Sequence, residues 1–285
     1  MTRQDFQTLL KDAPILLDGA TGSNLMRAGM PKGVCTEQWI LEHPQILIDL
    51  QRDYVKAGTQ ILYTPTFAAN RISLGEHGLA DRLEDMIPRL VDLSRTAAEG
   101  HALLAGDITT TGKTDLPYEQ LLEVYQEQIS HLADAGVDLL IAETMIGAEE
   151  TMAAIDAAHA ACDLPILCSL TIEADGSLFF GGNIFETAAM LEELGADAVG
   201  INCSVGPDQL ESVVATLKST VSVPVIAKPN AGMPVIDGSG NAIYSMGPED
   251  FALHMQKLVS LGASLIGGCC GTTPDYIRQI RKRIL

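Results

Sequence analysis

The sequence predicts an α/β protein, a single-domain (β/α)8 TIM barrel occupying residues 1–285. Three observations carry that expectation. Eight short apolar runs alternate with stretches of helical spacing. Polar residues able to do chemistry stand at the carboxyl ends of those runs. The length of 285 residues suits one α/β barrel, which takes about 250 residues before insertions.

Taken in order, residues 2–11 have the spacing of a short amphipathic helix, and residues 14–19 read as the first strand. Further apolar runs at 60–67, 102–108, 137–143, 165–172, 198–203, 224–229 and 264–269 complete the eight. The stretches between them have helical periodicity. In residues 118–135, Leu121, Leu122, Val124, Tyr125, Ile129 and Leu132 form one broad stripe. Gly136, Gly195 and Gly262 each follow such a helix, where a C-terminal glycine cap is expected. The basic residues from Arg278 to Arg283 suit a helix C-terminus. No Pro/Gly/Ser-rich linker divides the chain.

An open doubly wound sheet is the rival architecture, since strand count alone fits both. Asp18, Thr64, Asp107, Glu143, Asn202, Asn230 and the pair Cys269-Cys270 all close their apolar runs. A barrel gathers such residues at one mouth, whereas an open sheet spreads them along an edge. The longest insertion, residues 20–36, follows the first strand and is placed to cover part of that mouth.

Composition narrows the function. An apolar fraction of 47% with 19% charged residues describes a globular chain without low-complexity character. The formal charge of −19 opposes general nucleic-acid binding, which needs clustered Lys and Arg. The N-terminus lacks the apolar run of a signal peptide, and nothing approaches about 18 consecutive apolar residues. No membrane association and a cytoplasmic location are therefore expected. Six cysteines including an adjacent pair do not resemble a secreted disulfide framework. In a reducing compartment, clustered cysteines point to metal binding or catalysis.

The pair lies in Gly267-Gly268-Cys269-Cys270-Gly271-Thr272. A regular strand would send the two side chains to opposite faces, and the framing glycines permit the turn that brings both sulfurs together. Cys203 ends another strand and supplies a third thiol. Three thiolates at strand ends suggest zinc with one position left open for substrate, the catalytic rather than the structural arrangement. An electron-rich zinc of this kind suits a substrate thiol better than it suits generating hydroxide. A structural vicinal pair or a redox disulfide is the plainer alternative. Cys35, Cys162 and Cys168 lack glycine framing and are expected to be core or surface thiols.

Two further features flank the cysteines. The turn Asp18-Gly19-Ala20-Thr21-Gly22 offers backbone N–H groups to a small carboxylate, or is an ordinary tight turn. Glu143 ends a wholly apolar strand, where it either receives an ammonium group or forms a salt bridge at the mouth. A carboxylate seat, an ammonium acceptor and a thiol-binding metal together describe an amino acid with a thiol side chain.

These segments, with Gly200-Ile201-Asn202-Cys203-Ser204 and Pro229-Asn230-Ala231-Gly232, occur in the order and separation that resemble the zinc-dependent homocysteine S-methyltransferase family. The chain is most similar to the homocysteine-binding domain of cobalamin-dependent methionine synthases, over nearly its whole length. The resemblance implies a (β/α)8 barrel holding Zn2+ through Cys203, Cys269 and Cys270. It implies that Asp18, Gly19 and Ala20 seat the amino-acid end of homocysteine, with Glu143 near its amino group. Asn230 would stand beside the metal as a weak oxygen ligand, and Asn202 would orient groups next to it. The implied activity is methylation of homocysteine to methionine, a step of methionine biosynthesis.

Departures from the pattern bear on the donor. Thr66-Phe67 is followed by Ala68, where relatives that use betaine carry an aromatic residue, so a quaternary-ammonium cage would have to draw on Trp39 or Tyr63. Lys228 stands where the methionine synthase domain usually has an acidic residue. No folate- or corrinoid-binding module follows before Leu285, so the resemblance implies methylcobalamin on a separate corrinoid protein as donor. The alternatives are S-methylmethionine or another small donor, transfer of a methyl group to a corrinoid protein, and a non-catalytic homocysteine-binding subunit.

Overall fold

The computed structural model describes residues 1–12, 14–238 and 242–285. Eight parallel strands are ordered β1-β10-β7-β6-β5-β4-β3-β2: β1 (Ile15–Leu16), β2 (Ile61–Tyr63), β3 (Leu103–Ile108), β4 (Leu139–Met145), β5 (Ile166–Leu170), β6 (Ala198–Cys203), β7 (Val225–Pro229) and β10 (Ala263–Ile266). A parallel bridge between Leu17 and Ile61 returns β2 to β1, with the Gln60 amide donating to the Leu16 carbonyl at 2.7 Å. Sequential parallel pairing that closes on itself, with helices around it, is the expected (β/α)8 barrel. A small antiparallel strand pair, β8 (Pro234–Ile236) with β9 (Ala242–Tyr244), is inserted after β7.

The alternation of side chains along each strand divides the core in two. Leu17, Ile61, Tyr63, Ala105, Leu139, Ile141, Leu167, Ala198, Ile226 and Leu265 fill the barrel interior. Their neighbours, among them Leu62, Leu104, Leu140, Ile166, Val199 and Val225, face outward into the helical layer. Burial on both faces explains why the strands read as unbroken apolar runs. Phe6 joins the interior cluster from the N-terminal helix Arg3–Leu9, which a Thr2/Asp5 capping box starts.

The helix expected over 118–135 spans Tyr118–Asp134, and Gly136, Gly195 and Gly262 have φ of +77°, +94° and +114°. Several strands are shorter than the apolar runs that announce them. The first run continues to residue 19 and the last to residue 269, while their ladders stop at Leu16 and Ile266. The departing residues are those that build the mouth. Thr144, Cys203 and Ser204 have φ of +57°, +57° and +61°, left-handed values that non-glycine residues hold only when their surroundings enforce them. Register also shifts between Ala142 and Met145, re-aiming the end of β4.

Candidate functional site

Strand parity carries the interior pattern to the mouth. Leu103 and Ala105 lead to Asp107, Leu139 and Ile141 to Glu143, Ala198 and Gly200 to Asn202, and Ile226 to Lys228. The top of the barrel interior is therefore polar, and Asp107, Glu143, Asn202 and Lys228 are all buried there.

Cys269 and Cys270 lie just beyond β10, in a loop pinned on several sides. The Cys269 amide donates to the Pro229 carbonyl at 2.7 Å, and the Cys270 carbonyl accepts from the Ala231 amide at 3.0 Å. Thr272 Oγ1 donates to the Cys269 carbonyl at 2.7 Å, and the Gly271 amide donates to Ser23 Oγ at 3.2 Å. Gly271 has φ +85° and lies flat against the Tyr244 ring, leaving no room for a Cβ. The insertion after β1 forms the helix Gly22–Arg27, and Asn24 Nδ2 donates to the Thr272 carbonyl at 2.9 Å. The insertion thus buttresses the cysteine loop.

Among the described residues, the ligand atoms of Cys203, Cys269 and Cys270 lie within 4.8 Å of one another. Cys203 Sγ and Cys270 Sγ are 3.8 Å apart. Tetrahedral zinc with bonds of about 2.3 Å to sulfur sets its sulfurs about 3.8 Å apart, so the donor set fits zinc. Asn230 Oδ1 is buried and without a hydrogen-bond partner, while its Nδ2 donates to the Ser204 carbonyl at 3.1 Å. An orphaned amide oxygen in this loop suits the role of weak ligand. The Cys203 and Cys269 thiols both stabilise a Cys270 thiolate and pull its pKa far down, and the same contacts push the Cys203 thiol up. Cys35, Cys162 and Cys168 take no part in the cluster.

Asn202 organises the carboxylate beside the thiols. Its Oδ1 accepts from the Thr144 amide at 2.8 Å and from Ser169 Oγ at 2.9 Å. Its Nδ2 donates to Thr144 Oγ1 at 2.7 Å and reaches Glu143 Oε2 at 3.3 Å. Burial pushes the Glu143 carboxyl up to about 7, against the opposing pull of Lys228. Lys228 is the residue whose role sequence reasoning missed. Its Nζ lies 2.9 Å from Asp18 Oδ1, 3.6 Å from Glu143 Oε2 and 3.8 Å from the centroid of the Tyr63 ring. Burial pulls its pKa down, but Asp18 and then Glu143 outweigh that and hold it well above the usual lysine range.

Several candidate residues already have partners within the protein. Asp18 Oδ2 accepts from the Tyr63 amide at 2.9 Å while Oδ1 pairs with Lys228, so both oxygens are engaged within the protein. The Ala20 amide donates to Thr272 Oγ1 at 3.1 Å, so a ligand carboxylate there competes with Thr272. Gly19 is closely covered by Tyr54 and Thr272, leaving no space for a side chain. The Tyr63 face is taken by the Lys228 ammonium, and Trp39 stacks on His43 in the helical layer, so neither is free to wall a cage. The Thr64 hydroxyl contacts Thr66 Oγ1 and the Ala105 carbonyl. Strand parity was the signal by which Asp107 and Lys228 were open to assignment.

The model of the homocysteine S-methyltransferase family matches residues 15–284. The chain belongs to that family. The methionine synthase of Mycobacterium leprae is 30% identical over 291 aligned positions, which take in 94% of this chain and 24% of that protein. That of Mycobacterium tuberculosis is 29% identical over 304 positions, 98% of this chain and 25% of that protein. The chain thus spans about a quarter of the length of these methionine synthases. The homocysteine methyltransferase MmuM of Escherichia coli, in its oxidised form, is structurally similar with a TM-score of 0.83 at 24% identity, covering 98% of this chain and 99% of that one. Against the metallated form of MmuM the TM-score is 0.82. At this identity the likeness shows the fold alone. No helix among the described residues is long and apolar enough to cross a membrane.

Proposed function

We propose that the protein methylates homocysteine to methionine at the barrel mouth, with Cys203, Cys269 and Cys270 holding zinc. The observation that carries this reading is the convergence of three thiols within 4.8 Å beside a buried carboxylate. Zinc held there supplies a Lewis acid that lowers the pKa of a substrate thiol, so that it is a nucleophilic thiolate at neutral pH. Asn230 is the protein's own candidate to fill the open position before substrate arrives. Glu143, fixed by Asn202, accepts the substrate ammonium, and the backbone turn at Gly19 and Ala20 faces its carboxylate. These contacts hold the sulfur in line with the incoming methyl group. The thiol proton passes to solvent, the sulfur supplies the electron pair of the new S–CH3 bond, and the electron pair of the broken donor–methyl bond leaves with the donor.

The rim supports a donor carried on a protein, and a methylcobalamin-bearing corrinoid protein is the proposed partner. Phe67 follows β2, Phe179 and Phe180 follow β5, and Met233, Val235, Ile236 and Ile243 lie on the segment after β7. All are exposed apolar side chains, and in a parallel barrel these segments emerge on the same face as the thiols. A free small donor needs no apolar rim of that extent.

The test is metal analysis with homocysteine titration, followed by transfer assays with methylcobalamin, S-methylmethionine and betaine, with and without a corrinoid protein. The expected result is one zinc per chain, zinc-dependent homocysteine binding and turnover that is fastest with the corrinoid protein. Turnover with S-methylmethionine alone would move the donor to a small molecule. Binding without turnover on any donor would make the chain a homocysteine-binding subunit.

A further inference from the structure

Asp18, Asp107, Glu143 and Lys228 are each at most 8% exposed at the top of the barrel interior, three carboxylates against one ammonium. The lysine is spent on two of them, Asp18 and Glu143. Asp107 is left over. Its Oδ1 is fully buried with no hydrogen-bond partner, and among the described residues no Lys, Arg or His pairs with it. Its backbone is tied down, with the amide donating to Thr64 Oγ1 at 3.2 Å and the carbonyl accepting from Thr66 Oγ1 at 2.9 Å. The backbone of Asp107 is therefore held in place while Oδ1 of its carboxylate has no partner.

Across the β3–β4 ladder Asp107 pairs with Ile141, so Glu143 is the next residue of β4 to point inward, diagonal to Asp107. Burial, then the Glu143 charge, holds the Asp107 carboxyl well above the usual carboxylate range. Two neighbouring buried carboxylates with half a counterion between them are poised for one more positive charge. Tyr63 OH and Asn230 Oδ1 are also buried without partners.

We propose that Asp107 is the second acceptor for the substrate ammonium, sharing it with Glu143, and that Lys228 has withdrawn Asp18 into a positioning role. The inference rests on the reading of the site as a pocket for a thiol amino acid. A primary ammonium has three donors and one charge, which serves both carboxylates at once. A thiol without that ammonium leaves Asp107 buried without a counter-charge and Glu143 with only its share of Lys228, so the pocket disfavours it.

The test uses the zinc-loaded protein and calorimetric titration with homocysteine and with 4-mercaptobutanoate, which has the same thiol and carboxylate but no amino group. Wild type is expected to prefer homocysteine. Asp107→Asn is expected to weaken homocysteine by about 30-fold or more, as loss of one member of a buried charge pair does, while changing 4-mercaptobutanoate by less than about threefold. Its thermal midpoint is expected to be no lower than wild type, because an uncompensated buried charge has been removed. Asp107→Ser, should the amide fold poorly, is expected to show the same selective loss. Equal weakening of both thiols, or of neither, overturns the proposal while leaving the zinc–thiol reading intact. If wild type binds neither thiol, the pocket reading itself fails and takes the proposal with it.

Discussion

Lys228→Met isolates the electrostatic frame of the mouth from its shape. Methionine keeps most of the buried stem and removes the ammonium that stands 2.9 Å from Asp18 and 3.6 Å from Glu143. Breaking a buried pair from one side costs about 3–5 kcal/mol, because the remaining charge has no water to replace its partner. Unfolding entropy near 60 °C is about 2.1 cal/mol/K per residue, roughly 0.6 kcal/mol/K for 285 residues. The variant should therefore melt about 5–8 °C below wild type when the metal-free proteins are compared by calorimetry at pH 8. The deficit should shrink at pH 5. Without the lysine the carboxyl pKa values rise further above their unfolded values, and stability contributed by a raised carboxyl is present at low pH and lost as pH rises. Pairing the change with Asp18→Asn should recover part of the loss. A Lys228→Met midpoint within about 1 °C of wild type at pH 8, or a double variant with strictly additive losses, would refute the claim that the ion pair organises the mouth.

Other consequences can be checked independently. Glu143 is raised from 4.5 to about 7, so the folded metal-free protein binds its proton more tightly than the unfolded chain. That contribution is complete below about pH 4.5 and is lost as pH rises through about 7, for a total of roughly 3 kcal/mol. Urea midpoints between pH 4.5 and 8 should fall accordingly in wild type and flatten in Glu143→Gln. At Gly200 an added Cβ would run into the backbone oxygen and nitrogen of Ile226. Gly200→Ala should cost about 1–3 kcal/mol or more by prising β6 from β7, and it should weaken metal binding because β6 ends in Cys203; an unchanged melting midpoint and metal content would contradict this. Cys269→Ala should abolish stoichiometric zinc, measured by atomic emission on purified protein, and should leave the fold intact by circular dichroism.

Much of this molecule is legible in its sequence, and the rest is hidden for identifiable reasons. Eight apolar runs separated by helices capped at Gly136, Gly195 and Gly262 announce the barrel, because both faces of every strand are buried. The cysteine pair was legible because glycines frame it and Cys203 ends a strand. The fate of Asp18 was not, since its partner Lys228 lies on β7, far along the chain, and comes within 2.9 Å only because barrel closure leaves just β10 between β7 and β1. The bond from the Ala20 amide to Thr272 was hidden for the same reason, since it depends on closure between the first and last strands. Trp39 belongs to the helical layer, a location that single residues do not reveal. Asp107 was open to assignment, since it continues the parity of Leu103 and Ala105, but parity becomes informative only once the interior face of each strand is known.

Three protein sulfurs are expected to leave one place on zinc for the sulfur of the substrate. X-ray absorption at the zinc edge, on the purified protein with and without homocysteine, addresses it most directly. The expected result is three sulfur neighbours and one lighter atom without homocysteine, and four sulfurs with it. A sulfur count that stays the same when homocysteine is bound would contradict the account, because the substrate thiol would then be held somewhere other than on the metal.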